Sequence, residues 1–112
     1  MEYKEQLMSI IDKVREDFSV LGQFAFMGTG DINQVNDCFW RAYDAALEAE
    51  PLVNEQMKKT GNGMTGIVDW NAIEGFRIVV QQAGFPVMMA NSQLYGQYTM
   101  QLNHFFIMAQ GL

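Results

Sequence analysis

The chain has 112 residues, of which 49% are hydrophobic and 18% are charged, and its formal net charge at pH 7 is −6. This length fits a single domain over residues 1–112, which can bury roughly two-thirds of its unfolded surface and so needs no disulfide or metal to fold. The acidic balance argues against nucleic acid as a partner, because binding to a phosphate backbone depends on clustered Lys and Arg residues.

The first predicted element is one amphipathic helix over residues 3–25. Apolar residues recur there at steps of three and four, and charged residues fall mainly between them, as in a helix with one buried face. Gly28 and Gly30 then interrupt the pattern and predict the end of the helix. The apolar positions are Tyr3, Leu7, Ile10, Ile11, Val14, Phe18 and Leu21.

The second helix is predicted to begin at Asp31. The sequence DINQ makes Asp31 and Gln34 a candidate capping box, in which each residue satisfies a free amide of the first turn. Two adjacent apolar stripes follow, which is typical of a helix at the centre of its bundle or of a helix with a second partner. The first stripe is Ile32, Val35, Phe39, Ala42 and Ala46, and the second is Trp40, Tyr43 and Leu47. Pro51 predicts a break, with a short third helix over residues 51–59.

The segment KTGNGMTG, residues 59–66, predicts a flexible loop around Gly61, Gly63 and Gly66. Its glycines match the pattern G-x-G-x-x-G, but no predicted strand precedes them, so a dinucleotide site is disfavoured. A connector is the preferred interpretation, and a mobile lid or a partner-recognition loop is the alternative. A further helix is expected to begin at Asp69 and to end near Gly84, with Pro86 just beyond it.

The segment QLYGQYTMQLNHFF, residues 93–106, fits two periodicities. Its alternation suits a strand, whereas the spacing of Leu94, Tyr98, Leu102 and Phe105 suits a helix. We prefer the helix, because no earlier segment offers a convincing partner strand. The sequence therefore predicts an all-α fold, a small bundle of four principal helices plus one short helix. The alternative is an α+β fold in which residues 79–90 and 92–106 form a C-terminal β-hairpin.

Candidates for catalysis or metal binding are sparse. The lone cysteine, Cys38, has apolar neighbours and is expected to be buried and inert. The lone histidine, His104, is expected to be a buried or half-buried structural residue, since one His and one Cys are too few for a zinc site. Asp37, Asp44 and Glu48 can share one helical face, where pairing of Asp37 with Arg41 is the simplest role. We therefore predict no catalytic, cofactor-binding or metal-binding residues, and an enzyme is the least favoured function.

The cellular location is also predicted from the sequence. A single cysteine fits a reducing compartment. The sequence has no visible signal peptide and no run of roughly 20 apolar residues that would cross a membrane. We therefore expect a cytoplasmic protein without a membrane partner.

The C-terminal third gives the main functional hypothesis. From Ile78 to Leu112 there is no Asp, Glu, Lys or Arg, while Met and aromatic residues are frequent. Depletion of charge with enrichment of Met and aromatic residues is typical of the centre of a protein interface. We expect self-association, with a dimer as the default and another protein as a possible partner. The predicted contact residues are Met88, Tyr95, Tyr98, Leu102 and Phe106. The alternative is a carrier of a small apolar ligand, held in a pocket lined by Met, Phe and Trp.

Overall fold

A computed structural model describes residues 2–28, 31–61, 68–83 and 92–112, and the regular structure in these ranges is entirely α-helical. The all-α prediction is confirmed. The β-hairpin alternative is wrong, since residues 93–106 lie within one helix. Residues 84–91, which include the predicted helix end at Gly84 and the predicted contact Met88, lie outside the described ranges. The helices are α1 (Tyr3–Lys13), α2 (Arg15–Met27), α3 (Ile32–Thr60), α4 (Trp70–Ala83) and α5 (Ser92–Gln110).

The long helix α3 is the centre of the fold, as its two apolar stripes predicted. It packs against α1, α2 and α5, and its first stripe is almost fully buried. The second stripe meets α4 through aromatic contacts: the ring centroids of Trp40 and Phe76 lie 6.1 Å apart, and those of Tyr43 and Trp70 lie 5.9 Å apart. A salt bridge of 2.9 Å between Arg77 and Asp44 joins the same two helices. Helix α3 therefore binds its neighbours on several sides.

The predicted break at Pro51 is wrong, because α3 continues through this residue to Thr60. Proline removes one helical hydrogen bond and clashes with the preceding turn, which favours a break when a segment is considered alone. Here Ala49 and Val53, on either side of the proline, are both buried in the core. Their packing holds the helix in one piece, so no separate helix over residues 51–59 forms. The helix ends at Gly61, whose φ of 73° is left-handed and whose N–H donates to the Met57 carbonyl at 2.9 Å.

The single helix predicted over residues 3–25 is divided at Val14. This residue has φ −121° and ψ 13°, outside the helical range, and its N–H donates to the Ile11 carbonyl. Val14 is buried, and the bend lets Leu7 on α1 and Leu21 on α2 both reach the core. Periodicity alone does not reveal such a bend, because the apolar spacing continues through it. Within the described residues, none of the helices has both the length and the apolar character of a membrane-spanning segment.

The predicted helix starts at Asp31 and Asp69 are confirmed. The Asp31 carboxylate accepts a hydrogen bond of 2.8 Å from the Asn33 amide, and the Asp69 carboxylate accepts one of 3.0 Å from the Ala72 amide. The Asp69 amide also donates to Oε1 of Gln101, which links the start of α4 to α5. Short polar side chains at these positions satisfy amides that have no partner within the helix.

Candidate functional site

The residues predicted to contact a partner lie mainly in the core of their own chain. Tyr95, Leu102 and Phe106 are buried, and Tyr98 is half-buried against the same core. The Tyr95 ring makes edge-to-face contacts with Phe39 and Phe76, at centroid distances of 5.2 and 5.1 Å. Its hydroxyl donates to Oδ1 of Asn36 at 2.5 Å. These side chains stabilise the fold of one chain, and they are not exposed for a partner.

The opposite stripe of α5 faces outward. Gln93, Gln97, Met100, His104 and Ile107 recur at steps of three and four, so they share one face of the helix. Met100 is 70% exposed and Ile107 is also exposed. This stripe was visible in the sequence. It was missed because both stripes of α5 are uncharged and apolar enough to be a core face.

An open groove runs between this face of α5 and α2, and it reaches the start of α3. Its volume is about 1030 Å³. Phe18 of α2 lines the groove, and its ring meets that of Phe106 edge to face at a centroid distance of 5.8 Å. The described residues that line the groove are Phe18, Gly22, Phe24, Ala25, Phe26, Gly28, Ile32, Gln93, Gly96, Gln97, Thr99, Met100, Asn103, His104 and Ile107.

No Asp, Glu, Lys or Arg belongs to this lining among the described residues. The reason lies in both helices: residues 18–27 of α2 and all of α5 lack charged residues, and these two segments pack against each other. Asp17, the last charged residue of α2, is buried and forms a salt bridge of 2.8 Å with Arg41 of α3. The two helices therefore present a continuous uncharged surface, which we call the α2–α5 face, defined by residues 18–27 and the exposed residues of α5.

Large apolar side chains project from this face. Phe26 is 90% exposed, and Met27 and Met108 are also exposed. Isolated exposed apolar residues are ordinary on a protein surface, but a cluster beside a groove marks an interaction site. Of the nine large hydrophobic residues that are exposed in the described ranges, five belong to the α2–α5 face: Phe26, Met27, Met100, Ile107 and Met108.

Two glycines leave open space in the groove. A Cβ atom added at Gly22 or at Gly96 would meet no heavy atom within 4 Å. Both residues lie inside helices, where glycine is destabilising relative to alanine by roughly 0.5–1 kcal/mol. Neither has the left-handed backbone of Gly28, so the backbone does not require a glycine there. Their effect is to widen the groove where a guest side chain or ligand would enter.

The polar groups in the groove are neutral amides, a hydroxyl and one imidazole. His104 is exposed, which corrects the expectation of a buried or half-buried histidine. The physical reason is its position one helical turn after Met100, on the outward stripe of α5. Gln97 and Asn103 offer both donors and acceptors at the same surface. This lining suits an apolar guest with a few polar contacts.

No family model, curated protein sequence or solved structure matches this chain.

The other candidate groups have structural partners. Cys38 is buried as predicted, and its Sγ accepts a hydrogen bond of 3.4 Å from Arg41. Burial, together with the nearby Asp17 carboxylate, raises the pKa of the Cys38 thiol, which disfavours the reactive thiolate. His104 lies in the groove, whereas Cys38 belongs to the core. Within the described ranges, no three His, Cys, Asp or Glu side chains come together as a metal site.

Two of the three carboxylates predicted to share a face of α3, Asp44 and Glu48, bind neighbouring helices. Asp44 pairs with Arg77 of α4, and Glu48 pairs with Lys13 of α1 at 3.4 Å. Arg41 pairs with Asp17 of α2, so the predicted partnership with Asp37 is replaced by one between helices. These contacts assign the carboxylates a structural role. Gly61 likewise ends α3, while Gly63 and Gly66 of the predicted flexible loop lie outside the described ranges.

Proposed function

We propose that this chain is a non-enzymatic helical interaction protein that self-associates through the α2–α5 face. The observation that carries the proposal is the groove of about 1030 Å³, bounded by two charge-free helical segments and flanked by exposed Phe26 and Met100. The contacts thus come from the outward stripe of α5 and from α2, instead of from Tyr95, Leu102 and Phe106.

Burial of this face supplies the driving force. Each Å² of apolar surface removed from water contributes roughly 25 cal/mol before the cost of association is subtracted. Phe26 and Met100 are each exposed over most of their surface, so association has much apolar area to bury. Aromatic residues and Met are enriched at interface centres, where charged residues are depleted.

Electrostatic repulsion between two copies is weakest at this face. Each chain carries a formal net charge of −6, so two copies repel each other across most orientations. Two copies that pair through the α2–α5 face do not bring like charges into direct contact. Twofold dimers are the commonest assemblies of soluble chains, because the same patch serves both partners. A cytoplasmic location belongs to the same proposal, since a lone cysteine suits a reducing compartment.

Sedimentation velocity on the wild-type protein at tens of micromolar tests the proposal. We expect a dimer whose stability rises with added salt, because salt screens the repulsion between two acidic copies. Met100→Glu introduces a charge into the face and should weaken the dimer while helix content is retained. Val79→Glu is the matched control, because Val79 is exposed on α4, away from the groove lining, and it should leave the dimer intact. A wild-type protein that remains monomeric contradicts the proposal.

A second candidate function is binding of a small apolar ligand in the groove. It is favoured by the groove volume, which lies near the upper end of the roughly 300–1,000 Å³ typical of ligand sites. The neutral polar groups of Gln97 and Asn103 can orient such a ligand. Titration with an uncharged, environment-sensitive fluorescent dye distinguishes the two functions. Saturable binding of one dye per monomeric chain favours a carrier, whereas dye binding that competes with dimer formation favours self-association.

A further inference from the structure

We propose that the self-association is reciprocal: Phe26 of each copy enters the groove of the other copy, over Gly22 and Gly96. This inference rests on the proposed function and names the contact that specifies it.

Phe26 has the properties of an inserting side chain. It lies in the last turn of α2, just before Gly28 ends the helix with φ 65°. At 90% exposure it is the most exposed large hydrophobic residue of the described chain. Aromatic side chains in apolar pockets are among the residues that contribute most to binding. A position at the end of a helix lets the ring extend beyond the surface of its own chain.

The groove has the properties of a receiving site. Gly22 and Gly96 leave space where other residues would place a Cβ, and no charged side chain lines the described groove. Its volume of about 1030 Å³ exceeds what one phenylalanine ring needs, so neighbouring side chains can enter with it. An apolar ring can thus be accepted without desolvating a charge.

The occupant is a second copy because the projecting ring and the groove belong to the same face. In a twofold interface, a contact from residue i to residue j is repeated from j to i. One face that carries both parts is therefore complementary to itself. The absence of charge on this face, in a chain of net charge −6, removes the main electrostatic obstacle to pairing with a copy.

Two variants separate the two parts of the contact. Phe26→Ala removes the inserting ring and adds no charge to the groove, whose lining includes Phe26 itself. Gly22→Leu places a branched side chain in the groove at the proposed position of the ring and leaves Phe26 intact; the Cβ that it adds meets no heavy atom within 4 Å. Since each change occurs twice in a homodimer, each is expected to weaken dimerisation at least about a hundredfold. Gly22→Ala is the control, because a methyl group leaves most of the groove open and should retain the dimer.

The decisive measurement is an equimolar mixture of Phe26→Ala and Gly22→Leu chains, one of them fluorescently labelled, in sedimentation velocity. The mixture restores one of the two reciprocal contacts, because Phe26 of the Gly22→Leu chain meets the uncharged groove of the Phe26→Ala chain. We expect a heterodimer at concentrations where each variant alone is monomeric. Circular dichroism spectra that match the wild type establish that both variants fold.

Three results overturn the inference. If the wild-type protein is monomeric, the proposed function fails and this inference fails with it. If the wild-type protein dimerises but Gly22→Leu dimerises equally well, self-association stands and insertion into the groove is wrong. If both variants are folded monomers and their mixture also stays monomeric, the reciprocal arrangement is wrong.

Discussion

Arg41 joins α3 to α2 through two hydrogen bonds to one carboxylate oxygen of Asp17, from Nε at 3.1 Å and from Nη2 at 2.8 Å. The Asp17 side chain is only 10% exposed, whereas that of Arg41 is 57% exposed. The pair therefore neutralises a carboxylate that the packing of α2 has turned inward. It also keeps the last charge of α2 away from the α2–α5 face.

Arg41→Met should destabilise the fold, because it leaves the buried Asp17 carboxylate without its ionic partner. We expect the free energy of unfolding, measured by urea denaturation, to fall by about 1–3 kcal/mol. Arg15→Met is the control, since the Arg15–Asp12 pair is exposed on both sides and should contribute less than about 1 kcal/mol. Equal losses in the two variants would contradict the special role of the Asp17–Arg41 pair.

Pro51→Ala should stabilise the protein. Pro51 lies inside α3, where proline lacks the amide hydrogen of a helical bond and opposes the preceding turn at a cost of about 3 kcal/mol. Proline also restricts the unfolded chain, which offsets part of that cost by up to about 1 kcal/mol. We therefore expect the free energy of unfolding to rise by about 1–2 kcal/mol. A loss of stability in Pro51→Ala would show that the proline ring makes a favourable contact of its own.

Stability should fall at high pH because two tyrosines are buried. Burial raises the pKa of Tyr43 and of Tyr95 from 10.0 to about 12, and the hydrogen bond to Glu74 adds to the effect at Tyr43. The unfolded chain releases these protons near pH 10, while the folded chain retains them until about pH 12. The stabilisation that comes from the buried, protonated tyrosines is therefore complete below about pH 10, and it is lost as the pH rises to about 12. Between these two pH values, ionisation of each tyrosine in the unfolded chain lowers the free energy of unfolding by about 1.4 kcal/mol per pH unit.

Tyr43→Phe isolates one of these contributions. Across this pH range, the free energy of unfolding from urea denaturation should decline less for the variant than for the wild type. The reason is that the phenylalanine at position 43 has no hydroxyl to titrate. Absorbance of tyrosinate, followed in parallel, should show one fewer late-titrating tyrosine in the folded variant. An unchanged slope of stability against pH would exclude Tyr43 from the effect.

Cys38 should react slowly with thiol reagents in the folded protein. It is buried, and its raised pKa keeps the thiolate fraction below that of an ordinary cysteine at the same pH. Labelling followed by mass spectrometry should therefore be slow under native conditions and fast in urea. Rapid native labelling would contradict the burial of Cys38.

The sequence predicted most helices because their local features agree with their packing. Asp31 and Asp69 cap helices in both the sequence pattern and the structure, and the two apolar stripes of α3 pack against other helices except at Leu47, which is exposed. Val14 and Pro51 were misjudged for opposite reasons. The apolar spacing runs through Val14 although the backbone bends there, whereas the proline at position 51 suggests a break that the buried neighbours Ala49 and Val53 prevent. Both outcomes depend on contacts with other helices, which a single sequence does not display.

The predicted contact residues and the proposed interface share α5 but lie on opposite stripes of it. Tyr95 and Met100 both belong to an uncharged helix, so charge does not distinguish the inner face of α5 from the outer one. The distinction comes from Phe39 and Phe76, which enclose the Tyr95 ring and leave Met100 outside. The part of α2 in the proposed interface was not predicted, because its charge-free second half resembles an ordinary core-facing segment until it is seen beside α5.

A matched pair of substitutions on α5 tests this distinction. Tyr95→Glu places a carboxylate in the aromatic core and leaves Asn36 without its hydroxyl donor, which should cost several kcal/mol and cause the helical circular dichroism signal and cooperative unfolding to be lost. Met100→Glu places the same carboxylate on the outward stripe, where water solvates it, so the free energy of unfolding of the monomer should change by no more than about 0.5 kcal/mol. Both variants are measured by thermal and urea denaturation below the concentration at which the wild type associates. If Tyr95→Glu remains fully folded and only association is lost, Tyr95 is an interface residue after all, and the inner and outer faces of α5 are reversed.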